Sequence, residues 1–179
     1  MNNLLPITYL TILILVLSIL TFVLIKQISD KKNIENQLYN LQAKVRSKTA
    51  DPSDYYSLGV IYLSKKLFDQ AIIQFSYALN TWDKQDSKGI ANLYNTIGFT
   101  YFESGQYDLS IYYYTEAINQ LPDYIVALNN LAYSYEKKKM TEKAIETYKQ
   151  VLLLDSENEV AKNKIEILSR RLRTRDDRI

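Results

Sequence analysis

The chain has 179 residues and contains neither cysteine nor histidine. This excludes a disulfide framework, a thiol nucleophile, and the commonest general base and zinc ligand near neutral pH. The net charge of +2 combines a basic segment at 26–50, an acidic body at 51–169 and a basic end at 170–179, with net charges of +4, −5 and +3. Four glycines, three prolines and no long strand-like alternation predict an all-α fold.

The first predicted element is a transmembrane helix within residues 1–25. Residues 4–25, LLPITYLTILILVLSILTFVLI, carry no charge, and sixteen of these 22 residues are Leu, Ile, Val or Phe. A helix of this length is about 33 Å long and crosses the ~30 Å hydrocarbon core of a bilayer. A cleaved signal peptide fits less well, because no basic residue precedes the run, the run is too long and no small-x-small site follows it.

The charges beside this helix predict its orientation. Lys26, Lys31 and Lys32 directly follow the apolar run, and positively charged flanks stay on the cytosol-like side of a membrane. We therefore expect a single-pass protein whose N-terminus is lumenal and whose remaining residues face the cytoplasm or, in a plastid, the stroma.

Residues 26–50 form a basic amphipathic neck. Its apolar residues follow a helical seam: Ile34, Leu38, Leu41 and Val45. This seam covers under two heptads, which is short for a coiled coil. We favour a spacer that rests on the following domain or continues the membrane helix. Weak self-association, with the neck lysines near anionic lipid, is the alternative.

The sequence of the acidic body contains a repeat of 34 residues, in frames at 52–85, 91–124 and 125–158. The eighth position is small and the twenty-fourth is aromatic in every frame: Gly59, Gly98 and Ala132, and Phe75, Tyr114 and Tyr148. Small residues let two helices approach closely, and aromatic residues fill the gaps between hairpins. The five residues between the first two frames predict a longer loop around 86–89.

This pattern resembles the tetratricopeptide repeat, a 34-residue helix-turn-helix. In the first frame the matching residues are Leu58, Gly59, Tyr62, Ala71, Phe75 and Ala78. Lys66 and Lys139 stand where the family usually has glycine between the two helices. The resemblance implies an α-solenoid of three stacked hairpins, since none buries its apolar face alone.

The residues after 158 lose the repeat motif. Residues 159–173 keep a few apolar positions and predict a capping helix that closes the stack. Residues 174–179 form a basic tail, and acidic Asp176 and Asp177 dilute its charge. We therefore interpret the tail as a solvated helix end, in preference to a lipid or nucleic-acid contact, and expect no nucleic-acid partner.

The resemblance also implies a binding site. In this family the first helix of each hairpin lines a concave groove through positions two, five, nine and twelve. Those positions hold Ser53, Tyr56, Val60, Leu63, Asn92, Asn95, Phe99, Phe102, Val126, Asn129, Tyr133 and Glu136. Tyrosine and asparagine suit an extended segment of a partner protein. The alternative for each position is packing within the domain. No Lys or Arg occupies these positions, which argues against a clamp for acidic chaperone tails.

One membrane span followed by such hairpins, together with the opening residues LLPITYL, resembles the membrane-anchored photosystem I assembly family of cyanobacteria and non-green plastids. That resemblance implies a thylakoid location, stromal exposure and a scaffold role in photosystem I assembly or stability. The alternative is a docking receptor for preproteins or chaperones on an organelle surface. The missing histidine and cysteine, phosphate-binding loop and metal-ligand cluster favour a protein without catalytic residues, cofactor, metal or small-molecule substrate.

Overall fold

The structure, a computed structural model, describes residues 4–176, and its regular elements over that range are all α-helices. In chain order they are α1 (Leu4–Arg46), α2 (Pro52–Ser64), α3 (Phe68–Thr81), α4 (Ser87–Glu103), α5 (Tyr107–Gln120), α6 (Ile125–Lys137), α7 (Thr141–Leu154) and α8 (Glu159–Asp176). The chain forms two compact units, which divide between residues 48 and 49. This confirms the predicted all-α solenoid preceded by a long apolar helix.

The first unit is the helix α1, which passes from the apolar run into the neck without a break. The neck therefore continues the apolar helix, one of the two forms expected for a spacer. Among the described residues this is the one helix long and apolar enough to cross a membrane, and its apolar 18-residue window has a mean hydropathy of 2.7. The hydroxyls of Thr11, Ser18 and Thr21 donate to backbone carbonyls one turn earlier. Their polar groups are thus satisfied within the helix, as a lipid environment requires.

In the second unit, α2 to α7 form three hairpins that pack in chain order, and α8 packs on α7. The turns within the hairpins place Lys66, Gly105 and Lys139 in the left-handed region, with φ of 58°, 79° and 58°. The two lysines that replace the usual glycine therefore keep the glycine-like backbone conformation.

The small eighth position of the repeat makes room for the aromatic twenty-fourth position. A Cβ atom on Gly59 would lie 2.5 Å from the ring of Phe75, and one on Gly98 would lie 2.9 Å from the ring of Tyr114. Both rings are fully buried. The two helices of a hairpin therefore approach closely at the small residue, as predicted, and the aromatic ring packs against that residue inside the same hairpin.

A buried polar contact joins the second and third hairpins. The hydroxyls of Ser110 on α5 and Ser134 on α6 lie 2.9 Å apart, and Ser134 also donates to the carbonyl of Asn130. Ser110 stands where the first and third frames have alanine. At this junction the small residues therefore approach closely and also form a hydrogen bond.

The prediction of a longer loop around residues 86–89 is wrong. Helix α4 begins at Ser87, because the Asp86 carboxylate accepts a hydrogen bond of 2.8 Å from the backbone N–H of Gly89 and so caps the first turn. The residues inserted between the repeat frames therefore lengthen α4 at its start, and the connection between hairpins is limited to residues 82–86.

Helix α8 covers the open end of the third hairpin. Its Ala161 and Leu168 are buried in a cluster with Tyr148 and Val151 of α7. The helix reaches Asp176, three residues beyond the predicted end of the cap, so the start of the predicted tail is helical. Residues 177–179 of that tail lie outside the described part of the chain.

Candidate protein-binding surface

The predicted groove positions lie on α2, α4 and α6, the first helices of the three hairpins. We call the surface that carries positions two, five, nine and twelve of these helices the A-face. Its ninth positions, Val60, Phe99 and Tyr133, have exposed fractions between 38% and 41%. Large apolar side chains are thus left partly open to solvent at the same place on three successive helices, as a contact surface would require.

The capping helix also has a partly exposed apolar side chain at this repeat position, which the sequence prediction left out. Ile167 lies 34 residues after Tyr133 in the sequence and is 38% exposed. The repeat frame, continued past residue 158, would have identified it. The motif itself disappears there, and so the prediction ended at the third hairpin.

Other predicted positions pack within the domain. Tyr56 lies against the rings of Phe75 and Trp82, with centroid distances of 5.7 and 6.5 Å. Leu63 also packs against the core cluster of the first two hairpins. For these two residues the structure supports the packing alternative, although both remain partly exposed.

The asparagines of the A-face link neighbouring hairpins. The side-chain oxygen of Asn92 accepts from the hydroxyl of Tyr124 at 3.3 Å, and that of Asn95 accepts from the amide of Asn130 at 3.0 Å. The side-chain oxygen of Asn129 is buried and has no hydrogen-bond partner among residues 4–176. A buried acceptor without a partner is costly, so Asn129 is an amide of the A-face whose side-chain oxygen the fold leaves unsatisfied.

An aromatic and charged cluster occupies the end of the A-face nearest α8. Phe102 and Tyr133 bring α4 and α6 together, with ring centroids 5.1 Å apart. The ammonium groups of Lys137 and Lys164 lie 5.0 and 4.9 Å from the centroid of the Tyr133 ring, within the range of cation–π attraction. The predicted positions hold no cation, yet the folded surface has two beside Tyr133. Lys164 was missed because it comes from the capping helix.

Glu136, the acidic residue among the predicted positions, is engaged inside this cluster. It accepts from the Tyr148 hydroxyl at 2.6 Å and from the Lys164 ammonium at 3.0 Å. Burial of the Tyr148 ring, and then its hydrogen bond to Glu136, raise the pKa of the Tyr148 hydroxyl above its ordinary value. Glu136 therefore supports the fold of the third hairpin and neutralises one of the two lysines.

The second helices of the hairpins present a different surface. In the run Tyr112–Tyr113–Tyr114, the first ring is exposed, the second packs on Tyr101 with a centroid distance of 5.3 Å, and the third is buried. This agrees with the expectation that Tyr114 belongs to the core. No group of residues able to hold a metal ion occurs in the described range.

Comparisons with known proteins agree with this architecture. A model of the tetratricopeptide repeat matches residues 90–157. The ycf37 protein of Guillardia theta is 47% identical over 179 residues, which is the full length of both chains. A chloroplastic protein of Arabidopsis thaliana, the tetratricopeptide repeat domain-containing protein PYG7, is 31% identical over 93% of this chain and 55% of its own length.

Among solved structures, the tetratricopeptide protein YrrB, described as having an unusual peptide-binding site, superposes with a TM-score of 0.67. The two are 17% identical, and the match covers 82% of this chain and 73% of YrrB, so this likeness concerns the fold alone. The identity to the Guillardia theta protein extends over the full length of both chains and therefore shows the family as well as the fold. The chain belongs to the ycf37 family of tetratricopeptide-repeat proteins.

Proposed function

We propose that this protein is a membrane-tethered scaffold that binds an extended segment of a partner protein on its A-face. The observation that carries the proposal is the row of partly exposed apolar side chains at the ninth positions, Val60, Phe99 and Tyr133. A bound chain would bury this row and remove its apolar surface from water.

The tether is the apolar part of α1. Its leucine, isoleucine, valine and phenylalanine side chains are exposed along residues 8–25, which a lipid environment would cover. The lysines that follow support a stromal or cytoplasmic position for the repeat domain. We therefore propose a single-pass protein with a lumenal N-terminus.

The partner that we propose is a subunit or assembly factor of photosystem I in the thylakoid. This rests on the resemblance of the membrane-anchored layout and the opening LLPITYL to the photosystem I assembly family, and on the chloroplastic relative in Arabidopsis thaliana. The domain would hold a segment of the partner beside the membrane during assembly, without chemistry of its own.

The experiment replaces the resident protein by a variant in which Asn95, Phe99, Asn129 and Tyr133 are all alanine. The amount of assembled photosystem I per membrane is then measured. We expect it to fall to the level of a strain that lacks the protein. A matched control variant replaces three exposed residues of the second helices, Ile73, Tyr112 and Leu153, by alanine and should leave the level unchanged. A normal level in the A-face variant would contradict the proposal.

A docking receptor on an organelle surface is the second candidate. Lys137 and Lys164 beside Tyr133 are the observation that favours it. Glu136 pairs with the ammonium group of Lys164, and the ammonium group of Lys137 could receive an acidic tail. Fractionation distinguishes the candidates. Recovery in thylakoid membranes supports the assembly scaffold, whereas recovery in an outer organelle membrane supports the receptor.

A further inference from the structure

A pocket of about 430 Å³ opens between the start of α4 and the connection from α5 to α6. Its lining consists of Asp86, Lys88, Gly89, Asn92, Leu121 and Tyr124. The pocket does not follow from the repeat motif. The frames at 91–124 and 125–158 are directly adjacent, whereas residues 86–90 are inserted before the second frame and supply half of the lining.

Specific contacts hold the inserted turn in place. The Asp86 carboxylate accepts from the Trp82 indole N–H at 3.0 Å and from the Gly89 backbone N–H at 2.8 Å. A Cβ atom at residue 89 would lie 2.1 Å from a carboxylate oxygen of Asp86 and 2.3 Å from the Trp82 nitrogen. Glycine is therefore required at residue 89 for this arrangement. This wall of the pocket thus depends on specific residues of the chain.

The opposite wall is held in a similar way. Tyr124 donates its hydroxyl to the side-chain oxygen of Asn92 at 3.3 Å, so the connection before α6 is joined to α4. The ring of Tyr124 and the side chain of Leu121 supply apolar surface between these two anchors.

The lining selects a neutral, apolar occupant. The surface that lines the pocket is mostly apolar, and both carboxylate oxygens of Asp86 and the side-chain oxygen of Asn92 already accept hydrogen bonds from within the chain. Asp86 and Lys88 have opposite charges, so the pocket has no net charge to attract an ion. Its volume lies at the lower end of the range for ligand pockets, about 300–1,000 Å³, which suits one side chain better than a cofactor.

Asn92 belongs both to this pocket and to the A-face. A chain that lies across the A-face can therefore reach the pocket with one side chain. We propose that the pocket receives a single apolar side chain, aromatic or branched aliphatic, from the same partner segment that covers the A-face. This inference rests on the proposed function and adds an anchor residue to it.

The test uses the full-length protein in its own membranes. The photo-crosslinking residue p-benzoylphenylalanine is placed at the pocket rim in one variant, in place of exposed Asp123, and on the A-face in another, in place of Phe99. After irradiation, the cross-linked residues are identified by mass spectrometry. We expect both probes to attach to one contiguous segment, within about ten residues of each other, because an extended chain advances ~3.3 Å per residue. The adduct of the rim probe should lie on or next to an aromatic or branched aliphatic residue.

The outcomes separate the two proposals. Attachment from position 99 alone, or attachment of the rim probe to a different protein, to a polar stretch or to a second copy of this chain, would overturn the pocket and leave the A-face. Attachment from the rim alone, or from neither position, would overturn both.

A binding measurement then tests the pocket itself, with a synthetic peptide of the cross-linked segment. Leu121→Ala should weaken binding of the peptide by about tenfold, as expected for a moderate anchor contact. Replacing the anchor residue of the peptide by alanine should weaken binding to the wild-type protein and have little further effect on the variant. Leu153→Ala, at an exposed leucine of α7, is the matched control. Equal losses from the anchor replacement in wild type and variant would overturn the inference.

Discussion

At the scale of single residues, the turns inside the hairpins carry strain in two of three copies. Lys66 and Lys139 have φ of 58°, where a Cβ atom approaches the following carbonyl oxygen and costs about 1–2 kcal/mol. The second hairpin avoids this cost with Gly105. Because the helices on either side are well packed, the lysines are held in this conformation by the fold.

Lys66→Gly and Lys139→Gly should therefore stabilise the protein. We expect each replacement to raise the free energy of unfolding by about 0.5–1 kcal/mol, since relief of strain is partly offset by the greater freedom of glycine in the unfolded chain. Urea unfolding of the full chain in detergent measures the effect. Lys65→Gly is the matched control: Lys65 has φ of −88°, and its replacement should give no gain. Equal effects at residues 65 and 66 would contradict this explanation.

Tyr148 makes stability depend on alkaline pH. Its hydroxyl is buried and donates to Glu136, which raises its pKa above the ordinary value of 10. Above about pH 10 the unfolded chain therefore releases a proton that the folded protein retains, and the free energy of unfolding falls as the pH rises.

We expect Tyr148→Phe to make this fall shallower, while it destabilises the protein at pH 7 by about 1.5–3 kcal/mol through loss of a hydrogen bond to a charged acceptor. Tyr114→Phe should change the slope in the same direction, because burial also raises the pKa of Tyr114. Unfolding curves between pH 8 and about pH 11 measure both effects. An unchanged slope in the Tyr148 variant would show that its proton is not retained.

At the scale of elements, the capping helix combines a structural face and an open face. Leu168 is 3% exposed and packs in the cluster of the third hairpin, whereas its neighbour Ile167 is 38% exposed. The two residues are adjacent in sequence and similar in size. Replacing each one separately therefore distinguishes the contribution of α8 to stability from its contribution to binding.

Leu168→Ala should lower the free energy of unfolding by about 2–5 kcal/mol, the usual range for a buried leucine. Ile167→Ala should change stability far less, because its side chain is already partly in water, and should instead weaken partner binding. Thermal unfolding and partner capture of both variants provide the measurements. A larger loss of stability from Ile167→Ala would mean that the assignment of the two faces of α8 is wrong.

The sequence predicted the helices well where the repeat recurs, since the spacing of Gly59 and Phe75 is restated by Gly98 and Tyr114. It failed where a local contact overrode the repeat. Asp86 caps a helical turn that was expected to be a loop, and the signal for it was an aspartate three residues before Gly89. Lys164, one of the two lysines beside Tyr133, was missed for another reason: it belongs to α8, where the repeat motif is lost, so the motif did not indicate its contact with the third hairpin.

At the scale of the whole molecule, the predicted orientation has a direct consequence for accessibility. Protease added to the stromal or cytoplasmic side of sealed membranes should digest the repeat domain from residue 49 onwards, and a tag placed before residue 4 should be protected. The same digestion after the membranes are opened is the control, and there the tag should be lost as well. A repeat domain that is fully protected in sealed membranes would reverse the orientation.

The central claim is that the A-face binds a partner segment. Its most direct test is affinity capture from detergent-solubilised membranes, in which the proteins that co-purify with each of three chains are compared. The chains are the wild type, the A-face variant in which Asn95, Phe99, Asn129 and Tyr133 are alanine, and the control variant. In the control variant Ile73, Tyr112 and Leu153 are alanine. All three should show the same helical circular dichroism. We predict that the partner subunits are recovered with the wild type and the control and are lost from the A-face variant. Undiminished recovery with the A-face variant would contradict the account.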